Sequence, residues 1–384
     1  MTRRNSDFYQ VDRLCGLDDA FGHSQANDRL FVQAMKENVG FQMENQPYLA
    51  FLAERQGFSI DRVETLPELL RMPSLFVDTM KRHCFSNIPR KAAALVLTSS
   101  GTSGQKTQLI LDQKSLDRLN RLAFATMHGI GFSDDRPAHY LAFSYDRSQA
   151  AEVGTSWSDE QCMQFAPAKS AHWLIKQDAK GAFVFDYQLA ARLFIDLAAD
   201  APIRMLGFPA FMYQMIEEIR KITGRVQAAE GSFIIAGGGW KNHQGRPMQH
   251  ASFATYVEKH TGIPRENVRD TYGMTEHGVP YASCSHGHHH VPVFSRLQVV
   301  DPLTMAAQDY GQPGLLRLFT PYNTAQPNQC VLSTDVVVLQ KDCPCGLPGD
   351  YIAGIRRGGR RKHKGCAIAA LDILRASEAR QKGD

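Results

Sequence analysis

A run of glycine and hydroxyl residues separates two apolar stretches in LVLTSSGTSGQKTQLIL, residues 95–111. Glycine lets the backbone turn with positive φ and approach a ligand closely, and successive N–H groups in such a turn form a concave anion site. Hydroxyl groups add donors, and a lysine adds a mobile positive charge. The pattern predicts a phosphate site made of Ser99, Ser100, Gly101, Thr102, Ser103, Gly104 and Lys106. Taken alone, it fits a polar surface loop equally well, and its register differs from the P-loop motif G-x-x-x-x-G-K-[ST].

Cys366 is a second group that can do chemistry, because it stands just after a basic run, RRKHK at residues 360–364. Neighbouring positive charges lower the pKa of a thiol, and the thiolate is the reactive nucleophile. A flexible tail would let such a thiol move between two sites. On spacing alone, an ordinary buried cysteine beside a basic surface patch is the more frequent arrangement.

Cysteine and histidine also cluster in CSHGHHH, which begins at Cys284, and in CPCG, which supplies Cys343 and Cys345. Three thiolates and one imidazole form a ligand set that tetrahedral structural zinc sites use. The candidates for the fourth ligand are His286, His289 and His290. The alternative is an exposed histidine loop with free thiols.

The chain has 384 residues, of which 43% are hydrophobic, and a formal net charge of +4. That length supports one large core or two domains, and the near-balanced charge gives no global argument for nucleic-acid binding. No basic start leads into an apolar segment, and no stretch approaches 18 apolar residues, so we expect neither a secretory signal nor a membrane span. Eight cysteines in so long a chain point to thiol chemistry, metal binding or packing in a reducing cytoplasm.

Strands that alternate with helices are predicted to position these groups. Residues 1–90 carry apolar residues at helical spacing, and AAALVL (92–97) and HYLAFSY (139–145) are strand-like runs. SFIIAGGGW (232–240) is predicted to be a strand that runs into glycines. This order favours an α/β core with mainly parallel sheet. Short β-rich runs predict a β-rich part over 290–350, followed by a short mobile C-terminal segment over 351–384.

Five blocks occur in one order along the chain: TSSGTSGQKT (98–107), AGGGW (236–240), YGMTE (272–276), GQPGLLRL (311–318) and STD (333–335). In this combination they resemble the adenylate-forming superfamily of acyl- and aryl-CoA ligases, adenylation domains and luciferases. The resemblance implies an α/β fold with mainly parallel sheets flanked by helices plus a β-rich subdomain, with residues 1–350 as the domain that binds ATP and an acid. It also implies that a carboxylate attacks the α-phosphate of ATP, giving acyl-AMP and pyrophosphate.

The resemblance also implies roles for individual residues. The loop and Lys106 would hold the triphosphate, and Glu276 would be an oxygen ligand of Mg²⁺. Thr275 would donate to the α-phosphate, and Asp335 would accept from the ribose hydroxyls. The adenine side is implied to comprise a stacking Tyr272, with Gly273, Gly237, Gly238 and Gly239. Without the resemblance, Thr275 and Glu276 fit a solvated turn, and Asp335 fits a helix cap or turn.

The last residues of the chain indicate which family within the superfamily the sequence resembles. Only 30 residues follow Gly354, where most superfamily members carry a larger C-terminal domain. KHKGCAIAALDIL (362–374) resembles the RGCS-like motif of acyl-protein synthetases of the LuxE type, the long-chain fatty acid–protein ligases of the bioluminescence fatty acid reductase complex. In that family the cysteine accepts the acyl group and passes it to a reductase partner, which implies the same for Cys366. Ala367 replaces a frequent serine, and GIRRGG (354–359) leaves open which arginine acts at the hinge.

The leading interpretation is an AMP-forming ligase that uses ATP and Mg²⁺ to activate a fatty or other carboxylic acid, acylates its own Cys366 and supplies an acyl reductase. Non-luminous bacteria also carry such proteins, so a luminescence role does not follow. His290 becomes the first choice of zinc ligand, because HVP (290–292) resembles the family's pattern.

Two other functions stay open. An acyl- or aryl-CoA ligase of the phenylacetate type is the alternative, and such ligases carry a similar C…H…CPCG pattern. A scaffold subunit with a degenerate nucleotide site is the third, although the intact nucleotide residues argue against it. The apolar segments 141–145 and 205–215 either line a tunnel for the acyl chain or belong to the core.

Overall fold

A computed structural model describes residues 8–98, 107–146, 148, 154–238, 240 and 248–356. Several predicted site residues lie outside these ranges: Ser99, Ser100, Gly101, Thr102, Ser103, Gly104, Lys106, Gly239 and Cys366. Their roles therefore stay predictions. The strands on either side of the phosphate-type loop, and residues 351–356 of the predicted C-terminal segment, are described.

The described ranges contain ten α-helices: α1 (Tyr9–Cys15), α2 (Gln25–Asn45), α3 (Pro47–Arg55), α4 (Leu66–Leu69), α5 (Val77–Arg82), α6 (Gln113–Gly129), α7 (Gly154–Cys162), α8 (Tyr187–Leu197), α9 (Pro209–Ile222) and α10 (His250–Thr261). Local sequence explains several of their starts. Asp112 and Asp186 cap α6 and α8, since each side chain accepts from a backbone N–H three residues later, at 2.8 and 2.9 Å. Pro209 begins α9 at a position where a helix needs no N–H.

The same ranges contain fifteen strands: β1 (Leu75–Phe76), β2 (Leu95–Thr98), β3 (Gln108–Leu111), β4 (Ala138–Tyr145), β5 (Ala168–Gln177), β6 (Phe183–Phe185), β7 (Ile203–Gly207), β8 (Phe233–Gly237), β9 (Val268–Tyr272), β10 (Tyr281–Ala282), β11 (His289–His290), β12 (Arg296–Val300), β13 (Pro313–Phe319), β14 (Cys330–Gln340) and β15 (Tyr351–Arg356). The strand predicted over 92–97 starts later, at Leu95, because Arg90–Ala92 forms a short 3-10 turn. β2 and β3 form a separate hairpin around the predicted phosphate loop.

One sheet has the strand order β10-β9-β8-β7-β4-β5-β6. Its five central strands run parallel, and β10 and β6 pair antiparallel at the two edges. All eight residues of β4 are buried, as its mainly apolar sequence predicts for a parallel strand covered on both faces. The carboxyl ends of β4, β7, β8 and β9 meet at one edge, which is where open α/β sheets bind ligands.

A second sheet has the order β11-β15-β14-β13-β12, with β1 added parallel to β14 and the other pairings antiparallel. It is the β-rich region expected beyond residue 290. Its register places Arg356, at the end of β15, opposite Val336 of β14. Residues 351–356, the first of the predicted C-terminal segment, therefore lie beside the strand that carries Asp335.

Two hydrophobic clusters hold these layers. One joins α1, α2 and α6 to both sheets, and the other lies between the parallel sheet and helices α8, α9 and α10. Residues 141–145 and 205–215 contribute fully buried side chains to the second cluster, namely Leu141, Phe143, Met205, Phe211, Met212 and Met215. These residues therefore belong to the core, which is the second of the two interpretations of those segments.

The mixed architecture, with its mainly parallel central sheet and separate β-rich sheet, confirms the predicted fold class. Within the described part of the chain, no helix has both the length and the apolar character that a bilayer span requires.

Candidate active site and metal centre

Two of the predicted nucleotide residues are joined directly. Tyr272 ends β9 of the parallel sheet, and its hydroxyl donates to Asp335 Oδ2 on β14 at 2.9 Å. Burial, aided by the nearby Asp335 carboxylate, raises the pKa of Tyr272 well above its ordinary value. The phenol therefore stays protonated and keeps donating. This bond brings the residues predicted for adenine and ribose to one point between the two sheets.

Thr275 and Glu276 lie in the turn that follows β9. The turn is closed by the backbone N–H groups of His277 and Gly278, which donate to the Met274 carbonyl at 3.1 and 2.9 Å. Glu276 is only 6% exposed. This burial argues against a solvated turn. Its carboxylate offers oxygen, which is the ligand that Mg²⁺ prefers.

The turn after β8 requires glycine. Gly238 has a φ of +76°, and an added Cβ would approach Phe208 Cε1 to 2.7 Å, so both the backbone conformation and the space exclude a side chain. Gly237 still belongs to β8 and pairs in register with Thr271 of β9. Gly273 directly follows β9, so all three glycines lie at the carboxyl edge of the parallel strands.

A buried polar chain lies directly behind Glu276. His277 Nε2 is 2.7 Å from the Tyr281 hydroxyl, which is 2.7 Å from Ser295 Oγ, and Ser295 Oγ donates to the Phe319 carbonyl at 2.9 Å. Because a carbonyl only accepts, each hydroxyl donates onward and Nε2 of the imidazole carries its proton. Burial lowers the pKa of His277 to about 3. Sequence analysis did not single out this histidine, whose only signal is its place after YGMTE.

Four predicted metal ligands converge from three parts of the chain. The ligand atoms of Cys284, His290, Cys343 and Cys345 all lie within 4.8 Å of one another. Cys284 Sγ is 3.8 Å from Cys343 Sγ, and His290 Nε2 is 3.2 Å from Cys345 Sγ. Cys284 follows β10, His290 ends β11, and the other two cysteines lie in the turn between β14 and β15. His286 is exposed and is not in the set.

Burial sets the chemistry of these ligands. It raises the pKa of the Cys343 thiol to about 12, with a further contribution from the neighbouring cysteines, and it lowers the pKa of His290 to about 4. His290 is therefore a neutral imidazole at pH 7, which is the form that binds metal. Buried thiols at these distances become thiolates when a cation joins them. Three sulfurs and one nitrogen are a set that fits tetrahedral zinc.

His288 also contacts this cluster, and sequence analysis missed it. Its Nδ1 lies 3.2 Å from Cys343 Sγ, and its ring stacks on Tyr351 with the centroids 4.5 Å apart. Side chains alternate along an extended chain, so His288 and His290 lie on one side and His289 on the other. Applying that alternation to HGHHH would have removed His289 from the candidates and added His288.

A profile of the acyl-protein synthetase family LuxE matches residues 44–374 of the chain. Two curated relatives are both named long-chain-fatty-acid–luciferin-component ligase. The protein from Aliivibrio fischeri is 22% identical over 316 residues, which cover 82% of this chain and 81% of the relative. The protein from Vibrio harveyi is 26% identical over 280 residues, which cover 73% and 72% respectively.

Solved structures of 2-hydroxyisobutyryl-CoA ligase are similar in fold. The postadenylation state in complex with 2-HIB-AMP has a TM-score of 0.68 and 17% identity, and covers 92% of this chain and 74% of that one. An open conformation in complex with 2-HIB-AMP and CoA has a TM-score of 0.65 and 18% identity, with coverages of 87% and 75%. The chain therefore has the α/β fold of adenylate-forming ligases, as the five ordered blocks predict.

Proposed function

The chain belongs to the LuxE acyl-protein synthetase family of ATP-dependent, AMP-forming ligases, and from this premise we propose that it activates a long-chain fatty acid and transfers the acyl group to its own Cys366. The names of both relatives support a long-chain fatty acid as the substrate. The observation that carries the proposal is that the family match extends to residue 374 and so includes Cys366. We place the reaction in the cytoplasm, where a thiol acceptor stays reduced.

In the first step, a carboxylate oxygen of the acid attacks the α-phosphorus of ATP. The new bond joins the acyl oxygen to phosphorus, the bond to the bridging oxygen of the β-phosphate breaks, and pyrophosphate leaves. Lys106 and the backbone amides of 99–104 hold the phosphates, and Tyr272 holds the Asp335 carboxylate in place to accept from the ribose hydroxyls. Glu276 is the protein ligand for Mg²⁺, which neutralises the phosphate charge when bound.

In the second step, the Cys366 thiolate attacks the acyl carbonyl carbon. A carbon–sulfur bond forms, the carbon–oxygen bond to the phosphate breaks, and AMP leaves with the electron pair. The basic run at 360–364 favours the thiolate. The resulting thioester keeps the acyl group activated for a protein partner, which we propose to be an acyl reductase.

Intact-mass spectrometry after incubation with ATP, Mg²⁺ and acids of several chain lengths tests this proposal. We expect the wild-type protein to gain one acyl group that hydroxylamine removes, because hydroxylamine cleaves thioesters. Cys366→Ala and Cys366→Ser should lack this labile adduct. Cys84→Ser is the matched control, since Cys84 is an exposed cysteine of the described residues, and it should acquire the adduct normally.

Other results of this experiment distinguish the proposed function from the two alternative functions. A hydroxylamine-labile adduct that persists in Cys366→Ala contradicts the assignment of the acceptor. Acyl-CoA formation at equal rates with and without Cys366 favours a CoA ligase of the phenylacetate type. A failure of acid-dependent ATP–pyrophosphate exchange contradicts acid activation and favours a degenerate nucleotide site.

We also propose that a structural zinc ion is bound by Cys284, His290, Cys343 and Cys345. Three thiolates and one neutral imidazole leave a net negative charge around Zn²⁺. Arg269 of β9 is a half-buried cation close enough to Cys284 and Cys345 for its charge to act on them, and its Nε and Nη1 have no hydrogen-bond partner in the described ranges. This residue offsets the charge of the site. Because the ligands come from β10, β11 and the β14–β15 turn, the ion stabilises the fold and takes no part in the reaction.

A further inference from the structure

The connection between β13 and β14, residues 320–329, is buried at every position although it forms no helix or strand. Its sequence, TPYNTAQPNQ, is polar and typical of an exposed loop. Buried backbone N–H and C=O groups need partners, because leaving them unpaired costs free energy comparable to a lost hydrogen bond. Side-chain amides from the loop itself and from distant elements provide these partners.

Helix α2 anchors one side of the loop. Asn38 Nδ2 donates to the carbonyls of Pro321 and Asn323 at 2.6 and 2.8 Å, and Gln42 Nε2 donates to the Thr324 carbonyl at 3.2 Å. Both amides are fully buried. These bonds hold the loop without touching any residue predicted to bind the nucleotide.

Gln326 holds the other side, against the edge of β3 that β2 leaves open. Its Oε1 accepts from the Ile110 N–H at 2.9 Å, and its Nε2 donates to the Gln108 carbonyl at 3.0 Å. Asn323 Nδ2 adds a bond to the Ile110 carbonyl at 3.2 Å. One side-chain amide thus pairs with β3 as a neighbouring strand would. β3 is the strand that follows the predicted phosphate loop in the sequence.

The same loop contacts the turn that carries Glu276. Asn328 Nδ2 donates to the carbonyls of Glu276 and His277 at 3.5 and 3.3 Å. Gln329 Nε2 donates to the Asn323 carbonyl at 2.8 Å and so links the two ends of the loop. A single buried connection therefore spans from β3 to Glu276.

We propose that Gln326 and Asn328 are positioning residues that keep β3 and the Glu276 turn at a fixed separation, so that both act on one ATP molecule. The inference rests on the proposed ATP site. Gln326 acts through the backbone of residues 108–110, and Asn328 through the backbone of the Glu276 turn. Adenylation needs the phosphates and the metal ligand aligned together, so losing the bonds from this loop to β3 or to the Glu276 turn weakens ATP binding more than acid binding.

The test compares two substitutions of buried glutamines. Gln326→Met keeps a similar volume but removes both bonds to β3, and we expect it to raise the Kd for ATP·Mg²⁺ about tenfold, since two lost hydrogen bonds cost about 1–2 kcal/mol. The KM for the acid should stay unchanged. Gln42→Met is the matched control, because it loosens the same loop without contacting β3 or Glu276. It should lower the melting temperature comparably and keep the wild-type ATP affinity. Calorimetry, pyrophosphate exchange and thermal unfolding give the three readouts.

An equal loss of ATP affinity in both variants, or an unchanged affinity in Gln326→Met, overturns the inference. A wild-type protein that binds ATP but does not catalyse ATP–pyrophosphate exchange contradicts the proposed function. In that case the ATP affinities of Gln326→Met and Gln42→Met still test the role of Gln326. A wild-type protein that does not bind ATP contradicts both.

A second variant covers the case in which Gln326→Met does not fold. Gln326→Glu introduces a carboxyl group whose pKa burial raises. When protonated, this group can donate to the Gln108 carbonyl as the amide does; when ionised, it repels that carbonyl. The ATP affinity of Gln326→Glu, measured relative to that of wild-type protein at the same pH, should approach the wild-type value as the pH falls from about 8 to about 6. A difference from wild-type that does not change with pH overturns the inference, since a merely structural defect would behave in that way.

Discussion

The Tyr272 hydroxyl connects the two sheets at the proposed nucleotide site, since it binds Asp335 at 2.9 Å. We expect Tyr272→Phe to lower kcat/KM for ATP about tenfold, because a lost hydrogen bond to a charged acceptor costs about 1.5 kcal/mol. The KM for the acid should not change. Pyrophosphate exchange at varied ATP measures both. Tyr310→Phe is the control, because Tyr310 makes the same kind of bond to Asp350 at 2.8 Å. A comparable loss in both variants would contradict a specific role.

Asp159 on α7 is a carboxyl group whose ionisation opposes folding. Burial raises its pKa to about 7, although the Ser144 hydroxyl beside it acts in the opposite direction. Between about pH 4 and pH 7 the folded protein therefore holds a proton that the unfolded chain releases, so stability falls as the pH rises through this range. We expect Asp159→Asn to be about 1–2 kcal/mol more stable than wild-type protein at pH 7.5.

Urea unfolding at pH 5 and pH 7.5 measures this effect. The gain of the variant should be largest at pH 7.5 and smallest at pH 5. Asp196→Asn, which changes an exposed carboxyl group on α8, should alter stability little at either pH. An Asp159→Asn variant that is less stable than wild-type protein at pH 7.5 would show that the ionised carboxylate is needed.

Among the secondary-structure elements, the cysteine–histidine cluster ties β10 and β11 to the β14–β15 turn. We expect purified protein to contain about one zinc per chain. Cys343→Ser should lose the metal and unfold at a lower temperature, because the ligands then no longer join these elements. Elemental analysis and thermal unfolding measure the two effects, with Cys84→Ser as the control that keeps its zinc. Metal-free wild-type protein with an unchanged melting temperature would rule the site out as a structural zinc centre.

Local patterns made some elements predictable and left others out of reach. β4 and β8 could be predicted because each is a short apolar run that ends at a turn. The connection 320–329 has a polar sequence typical of an exposed loop but is buried, because its partners include Asn38, 283 residues away from Pro321. No local signal carries such a contact. His288, by contrast, was within reach of the alternation rule.

At the scale of the whole molecule, the order of the five blocks was enough to predict the fold class. Gly237, Gly238 and Gly273 lie at one edge of the parallel sheet because the carboxyl ends of parallel strands meet there. The bond between Tyr272 and Asp335 was not predictable, since it depends on how two sheets pack. The three cysteine ligands could be proposed from residue types, because three thiolates and one imidazole suit zinc, whereas the choice of His290 came from the family resemblance.

The length of chain between Arg356 and Cys366 leads to a further prediction. Cys366 is the tenth residue after Arg356, and such a length reaches at most about 35 Å. Inserting eight glycine and serine residues after Gly359 should leave pyrophosphate exchange unchanged. Self-acylation should slow about two- to threefold, because the effective concentration falls with tether length. A time course by intact mass measures the rate. A parallel fall in exchange would show that the segment also takes part in adenylation.

The pairing of Arg356 with Val336 also fixes the point from which the proposed acyl carrier Cys366 extends. A tether that is attached at Arg356 and has a limited length cannot carry an acyl group on Cys366 to a distant active site. For the proposed transfer, an acyl-accepting enzyme therefore has to place its own active site near the end of β15, beside β14. An acyl-accepting enzyme whose active site stays beyond the reach of this tether would not be acylated, however reactive its catalytic group.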